Sequence, residues 1–350
     1  MEYFSVITDY LVPFLAVLTV LVFVHEMGHF LLARRNGVKV EVFSIGFGPE
    51  LWGFNDKLGT RWRFSAVPLG GYVKMFGEGD LVTGVDDTEE RPMTDDEKKV
   101  SFHHKRLGQR AAIVAAGPAA NFLFAVLVLW SMNSIFGVPK LLPQVGEVIA
   151  DTAAAEAGLQ SGDLILAIDG QSIELFSELS TIVSGSAGKT LALTIQRGAQ
   201  EIVVNATPRP WQGDTEHANG DKAAADDDEH APRGLLGVRP DASAALSTRT
   251  GVVEGLVLGV EQTYTLTANI LKGLGEMFSG DRSAKELGGV IMIAEVSGNA
   301  AEGGMASILY FMAVLSINLG LINLFPVPVL DGGHLAFYAA EGVRGKPLSP

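Results

Sequence analysis

The sequence predicts a polytopic α-helical membrane protein with three visible membrane helices, a β element on its cytoplasmic side and a small inserted α+β domain. Three observations predict it. Apolar runs at Leu11 to Ala33, Ala111 to Ile135 and Ile308 to Leu330 each approach the roughly 20 residues that a bilayer-spanning helix needs. A hydrophobic share of 47% and a mean hydropathy of +0.26 are high for a soluble chain. Between the second and third runs, the pattern changes to short alternating stretches punctuated by turn residues.

The first run contains His25-Glu26-Met27-Gly28-His29. On a helix, residues four apart share a face, so two imidazoles can hold one metal ion, and Glu26 is placed to act as general base toward a metal-activated water. Zinc lowers the pKa of bound water from about 15.7 to about 7. Chance matches to so short a pattern are common and mostly inert. Here the ionisable groups sit in a membrane-length run, where they are costly and need a partner. A metal is the simplest one. The chain has no cysteine, so neither disulfides nor thiolate ligands are available, and a formal charge of −14 argues against nucleic acid.

The N-terminus lacks the basic start of a secretory signal, and residues 1–35 are expected to be retained as the first membrane helix. Arg34, Arg35 and Lys39 follow this helix, and Lys105, Arg106 and Arg110 precede the second, at 111–136. Both flanks are therefore expected to be cytoplasmic, with the N-terminus outside. In the intervening loop, 36–110, Val38 to Phe43 and Thr60 to Ala66 alternate as strands do, and glycines and prolines punctuate them. This is either an ordinary surface sheet or an apolar hairpin whose edge can pair with an extended substrate. Gly79 to Lys99 reads as a solvated acidic loop.

The second helix opens with Gly117-Pro118-Ala119-Ala120-Asn121, whose small residues allow close helix packing. Asn121 needs a hydrogen-bond partner in its apolar setting, either as a bridge between helices or in a site. Residues 143–210 read as a small globular domain, with strands at Val145 to Ile149, Asp163 to Ile168 and Thr190 to Ile195, and a tight turn at Asp169-Gly170. His217 and His230 could suggest a metal site at 211–234, but the composition favours a disordered acidic linker there. The segment 235–306 follows, with an amphipathic helix from Leu256 to Phe278 laid on the outer membrane face.

The segment 307–350 holds the third membrane helix and a tail. Its helix breaks at Asn323-Leu324-Phe325-Pro326-Val327-Pro328-Val329-Leu330-Asp331-Gly332-Gly333-His334. A hydrolytic zinc takes three protein ligands, and HExxH supplies two. The first and third helices run in the same direction, which puts Asp331 at a depth similar to the two histidines. His334 is its rival, deeper toward the cytoplasm.

Together, the HExxH helix, Gly117-Pro118-Ala119-Ala120-Asn121, the inserted domain and the Asn323 to Gly332 stretch resemble the site-2 protease family. The subgroup is that of the bacterial regulator of sigma E protease, and the likeness covers nearly the whole chain. The resemblance implies a site-2-protease-like core and an intramembrane zinc metalloprotease of the inner membrane. It would cut transmembrane segments of single-pass proteins, such as an anti-sigma factor or remnant signal peptides. It also implies His25, His29 and Asp331 as Zn2+ ligands and Glu26 as general base. Asn323 and Pro326 would hold unwound substrate, and the segment at Gly70-Gly71-Tyr72-Val73 would belong to a membrane-associated β element offering its edge. The inserted domain would be PDZ-like, periplasmic, and able to take a peptide ligand. Two departures stand out. One PDZ-like copy is visible where relatives carry two, and no fourth membrane helix is visible after Asp331. The alternative weighed against this is a non-catalytic membrane scaffold, which would have no use for Glu26 between two histidines. A zinc transporter is disfavoured by the lack of repeated halves.

Overall fold

The computed structural model describes residues 7–77, 93–210, 233–280 and 289–345. Most of the expected acidic loop and linker, including His217 and His230, lies outside them. The chain forms two compact units, one made of the residues up to Ile135 and from Thr250 onward, the other of Phe136–Arg249.

In the first unit, α1 (Val12–Arg35), α3 (Leu107–Ile135) and α8 (Met305–Asn323) supply three helices long and apolar enough to cross a membrane. The short α2 (Asp95–Val100) precedes α3 and starts with a Thr94–Glu97 capping box. Helix α3 is the shared neighbour, because small residues let other helices close on it. A side-chain carbon at Gly28 of α1 would fall 2.2 Å from the Ala116 carbonyl oxygen, and one at Gly320 of α8 would fall 3.1 Å from that of Pro118. Such stripes of small residues substitute for the hydrophobic driving force that lipid does not provide. Helix α6 (Val252–Ser279) also packs on α3, with Gly259 against Val126 and Trp130 and with Thr263 buried. The sequence reading laid this helix flat on a membrane face, yet its glycine edge runs along α3. Helix α7 (Val290–Glu302) precedes α8, and α9 (Asp331–Arg344) follows the break where a tail was expected. The prolines of the break and the Gly332-Gly333 pair at the start of α9 mark a loop, and so hide this helix in the sequence.

The β element is built from two long bent strands, β1 (Val40–Asn55) and β2 (Arg61–Met75). Val42 to Ile45 pair with Arg61 to Phe64 on one side and with Gly71 to Lys74 on the other, while Trp52 to Asn55 pair with the far side of Arg61 to Phe64. The result is a four-row mixed sheet, with the 42–45 and 61–64 rows side by side in the same direction, the two outer pairings antiparallel, and Gly71 to Lys74 at one edge. Its apolar face packs on α1. Phe43 is fully buried, stacks on Trp62 at 4.4 Å and meets Phe30 edge-on at 5.4 Å. The Asp56 carboxylate accepts from the Leu58 and Thr60 amides and from Arg34, and so ties the turn between the strands to the end of α1.

The second unit centres on an antiparallel sheet in the order β6 (Gln171–Ser172), β5 (Leu164–Ile168), β7 (Leu191–Arg197), β8 (Gln200–Ala206). Asp169 (φ 50°) and Gly170 (φ 81°) form the tight turn. Helix α4 (Ala153–Glu156) and helix α5 (Phe176–Ser184) flank the sheet, and Ile165, Leu193, Ile195 and Leu179 fill the core. The unit extends beyond the expected 143–210. Strand β3 (Val138–Leu141) pairs with β12 (Ala245–Thr248), β4 (Val145–Val148) with β11 (Val238–Pro240), and β9 (Arg209–Pro210) with β10 (Gly234–Leu235). Strands of two to four residues leave no readable period, which is why the sequence assigned residues from 235 onward to the next segment.

Candidate metal centre

Helix α1 presents His25 and His29 one turn apart, both buried, with ring centroids 4.8 Å apart. Their Nε2 atoms lie 3.2 Å from each other. Asp331 reaches the same point from the first turn of α9, its Oδ2 being 3.1 Å from His25 Nε2 and 3.5 Å from His29 Nε2. Oδ2 is buried and accepts no hydrogen bond among the described residues. Three lone-pair donors facing one another repel unless a cation lies among them. A tetrahedral zinc with ligand bonds of about 2.0–2.1 Å needs donors about 3.3–3.4 Å apart. The observed separations fit.

The outer ring nitrogens are held so that Nε2 stays free. His29 Nδ1 lies 2.9 Å from the Ile113 carbonyl of α3, which accepts its proton. His25 Nδ1 lies 3.2 Å from the Asn121 side-chain amide as placed, while Asn121 Oδ1 is buried without a partner. Turning the amide over lets Oδ1 accept the His25 Nδ1 proton, in the tautomer that leaves Nε2 free. The Asn121 carbonyl in turn accepts from Ser316 of α8 at 2.9 Å. Asn121 therefore does both things left open by the sequence: it bridges helices and it meets His25.

Gly117 explains the small-residue motif. A side-chain carbon there would fall 2.3 Å from His29 Nε2 and 2.8 Å from His25 Cε1. Arg110, Ile113, Gly117 and Asn121 are spaced by three, four and four residues and so form one stripe of α3. That helix supplies no donor to the centre, yet its stripe shapes the surroundings.

Asp331 depends on the break. Leu330 N bonds to Val327 O across a turn whose third residue, Val329, has φ 82°. A side-chain carbon at Gly332 would meet the Leu324 and Phe325 carbonyl oxygens at 2.3 Å, and one at Gly333 the Val327 oxygen at 2.4 Å. Only glycine lets the chain fold back this tightly onto the helix start.

Glu26 faces the sheet edge. The Val73 backbone amide faces its carboxylate, and a side-chain carbon at Gly71 would lie 3.4 Å from its Cγ and 3.0 Å from Val22 Cγ1. Gly70 (φ 122°) lies under the Phe47 ring, which stacks on Tyr72 at 6.2 Å. Asn323 is half-buried at the end of α8 and makes no side-chain hydrogen bond to a described residue, and Pro326 is exposed in the break. Neither is brought against the three donors. His334 is exposed and faces Tyr338, outside the donor cluster. Sequence reasoning missed Ile113 and Ser316. Ile113 acts through a backbone carbonyl, which leaves no side-chain signal.

The model of Peptidase family M50 matches residues 13–350. The chain belongs to this family. It is a zinc metalloprotease, and its three apolar helices suit a membrane protein. Among the similar proteins, one from Agrobacterium fabrum named "Putative zinc metalloprotease" is 40% identical over 98% of this chain and 89% of its own. One of the same name from Mesorhizobium japonicum is 41% identical over 97% of this chain and 90% of its own. The regulator of sigma-E protease RseP of Salmonella typhimurium is 32% identical over 97% of this chain and 92% of its own. In this M50 protease, the donor set is nitrogen and oxygen only, as a chain without cysteine requires.

Proposed function

We propose that this M50 protease hydrolyses peptide bonds inside the membrane segments of single-pass proteins, with His25, His29 and Asp331 holding zinc and Glu26 as general base. The observation that carries the reading is the placement of Glu26. It sits between two histidines in a helix of membrane length, with its carboxylate facing the amide of an edge strand. When bound, zinc polarises water and the scissile carbonyl. Glu26 takes the proton of the attacking water and returns it to the leaving amine. Asn121 and the Ile113 carbonyl fix the imidazole tautomers meanwhile.

A membrane helix keeps its carbonyls in intrahelical bonds, so substrate must be unwound and given other partners where water is scarce. The Gly71 to Lys74 edge offers main-chain groups in register. Gly71 lets that edge come close to Glu26, so a strand added there runs past the base. Gly70 and Tyr72 shape the same edge, and Asn323 and Pro326 would hold the substrate from the break. The zinc end of α1 lies toward the cytoplasm and the second unit in the periplasm of the inner membrane. That unit is PDZ-like and takes an extended peptide. An anti-sigma factor and remnant signal peptides are the substrate class, following the relative named as a regulator of sigma-E protease.

Co-expression with tagged single-pass proteins tests the reading. Wild type should process a subset that accumulates uncut beside Glu26→Gln, and identical patterns from the two would sink it.

A further inference from the structure

The stripe of α3 that surrounds the two histidines has a fourth member. Arg110 lies one turn before Ile113, and its Nη2 donates to Glu341 Oε2 of α9 at 2.7 Å. The side chains are 16% and 12% exposed, so this is not a solvated surface pair. The guanidinium also lies over the Tyr338 ring, 4.8 Å from its centroid, and Arg110 Nε is buried without a hydrogen-bond partner. The cation is thus held face-on between a ring and a carboxylate. Tyr338 and Leu335 pack against the buried cluster to which Phe30 of α1 and Ile113 of α3 belong.

Such a pair is a poor way to add stability, because desolvation offsets most of the attraction. What it does supply is register. Helix α9 starts just after an irregular break, so the rigidity of α8 does not carry through to it. Its first turn holds Asp331, and Glu341 lies about 15 Å further along at 1.5 Å per residue. A slip of one turn would move Asp331 by about 5.4 Å, and one residue of rotation would turn it by about 100°. Either takes the carboxylate away from the imidazoles. Apolar contacts from Leu335 and Tyr338 are non-directional and tolerate small rotations, whereas a bonded guanidinium does not.

We propose that the Arg110–Glu341 pair, seated on Tyr338, is a positioning clamp that sets the third zinc donor against the first two. The clamp rests on the reading of Asp331 as a ligand. Arg110 and Glu341 touch no reacting atom, and they act through α9.

The test is zinc affinity, measured by competition with a chromophoric chelator on the full-length protein in detergent. Arg110→Gln and Glu341→Gln should still bind one zinc at saturation, with affinity lowered about 10- to 100-fold, the range for partners that orient a ligand. The reversed pair, Arg110→Glu with Glu341→Arg, should recover to within about threefold of wild type, which loosened packing would not do. Asp56→Asn, which breaks the Arg34 pair elsewhere on α1, should lower the melting temperature and leave zinc affinity unchanged. Wild-type affinity in both single variants overturns the clamp, as does a loss in Asp56→Asn equal to theirs. If a single variant does not fold, the reversed pair decides: recovered affinity supports the clamp, and a tenfold loss in folded protein overturns it. Asp331→Ala separates the two ideas. If it keeps full affinity, the ligand reading has failed and takes the clamp with it. If it loses zinc while the Arg110 and Glu341 variants do not, only the clamp has failed.

Discussion

The carbon that any residue but glycine would add at position 117 falls 2.3 Å from Nε2 of His29. That atom is one of the three converging donors, so a single methyl group on α3 stands where the zinc site needs space. Gly117→Ala makes two opposed expectations. In a helix interior, alanine is favoured over glycine by about 1 kcal/mol, so helix content should hold or rise. Zinc affinity should fall about tenfold or more as the imidazoles are pushed aside. The same change at Gly108, which has open space around it, should leave zinc untouched. Equal affinity in both variants would mean that the imidazoles move freely and that Gly117 serves helix packing alone.

The Val73 amide faces the Glu26 carboxylate, which allows the docking edge to be tested apart from the metal. Val73→Pro deletes that donor and should cut turnover by about tenfold or more while one zinc remains bound. Substrates with added Gly or Pro in their membrane segments should be cut faster, since unwinding them costs less. Cleavage indifferent to both changes would send substrate by another route and leave the β element a purely structural part.

The basic residues at the end of α1 and the start of α3 predict a sidedness that can be tested. The chain has no cysteine, so single cysteines introduced at Lys98 in α2 and at Glu201 in the second unit can report it. An impermeant maleimide added to intact spheroplasts should label position 201 and spare position 98. The reverse pattern would invert the topology.

Much of the site was legible because its chemistry lies in side chains at fixed spacing. His25, Glu26 and His29 declare themselves by period, and Asp331 by a break in an apolar run. Asn121 stood out as a lone amide among alanines and leucines. What could not be read depends on backbone or on distance in the chain. Ile113 acts through a carbonyl, and Arg110 finds Glu341 231 residues away. Gly117 was visible as a small residue, but the imidazoles it makes room for belong to another helix. The fold shows the same division. Three helices long and apolar enough to cross a membrane follow from hydropathy, and the core strands of the second unit follow from alternation. Strands β9 to β12 are too short to leave a period, and the helical start of α9 is hidden by its glycines. The four-row pairing of β1 and β2 needs bends that no local pattern specifies.

The central claim is that His25, His29 and Asp331 hold the zinc on which Glu26 acts. The most direct measurement is the zinc content of wild type, Glu26→Gln and Asp331→Ala purified side by side. The account predicts about one equivalent in the first two, because Glu26 is not a ligand, and a small fraction of that in the third. A full equivalent on Asp331→Ala would contradict it.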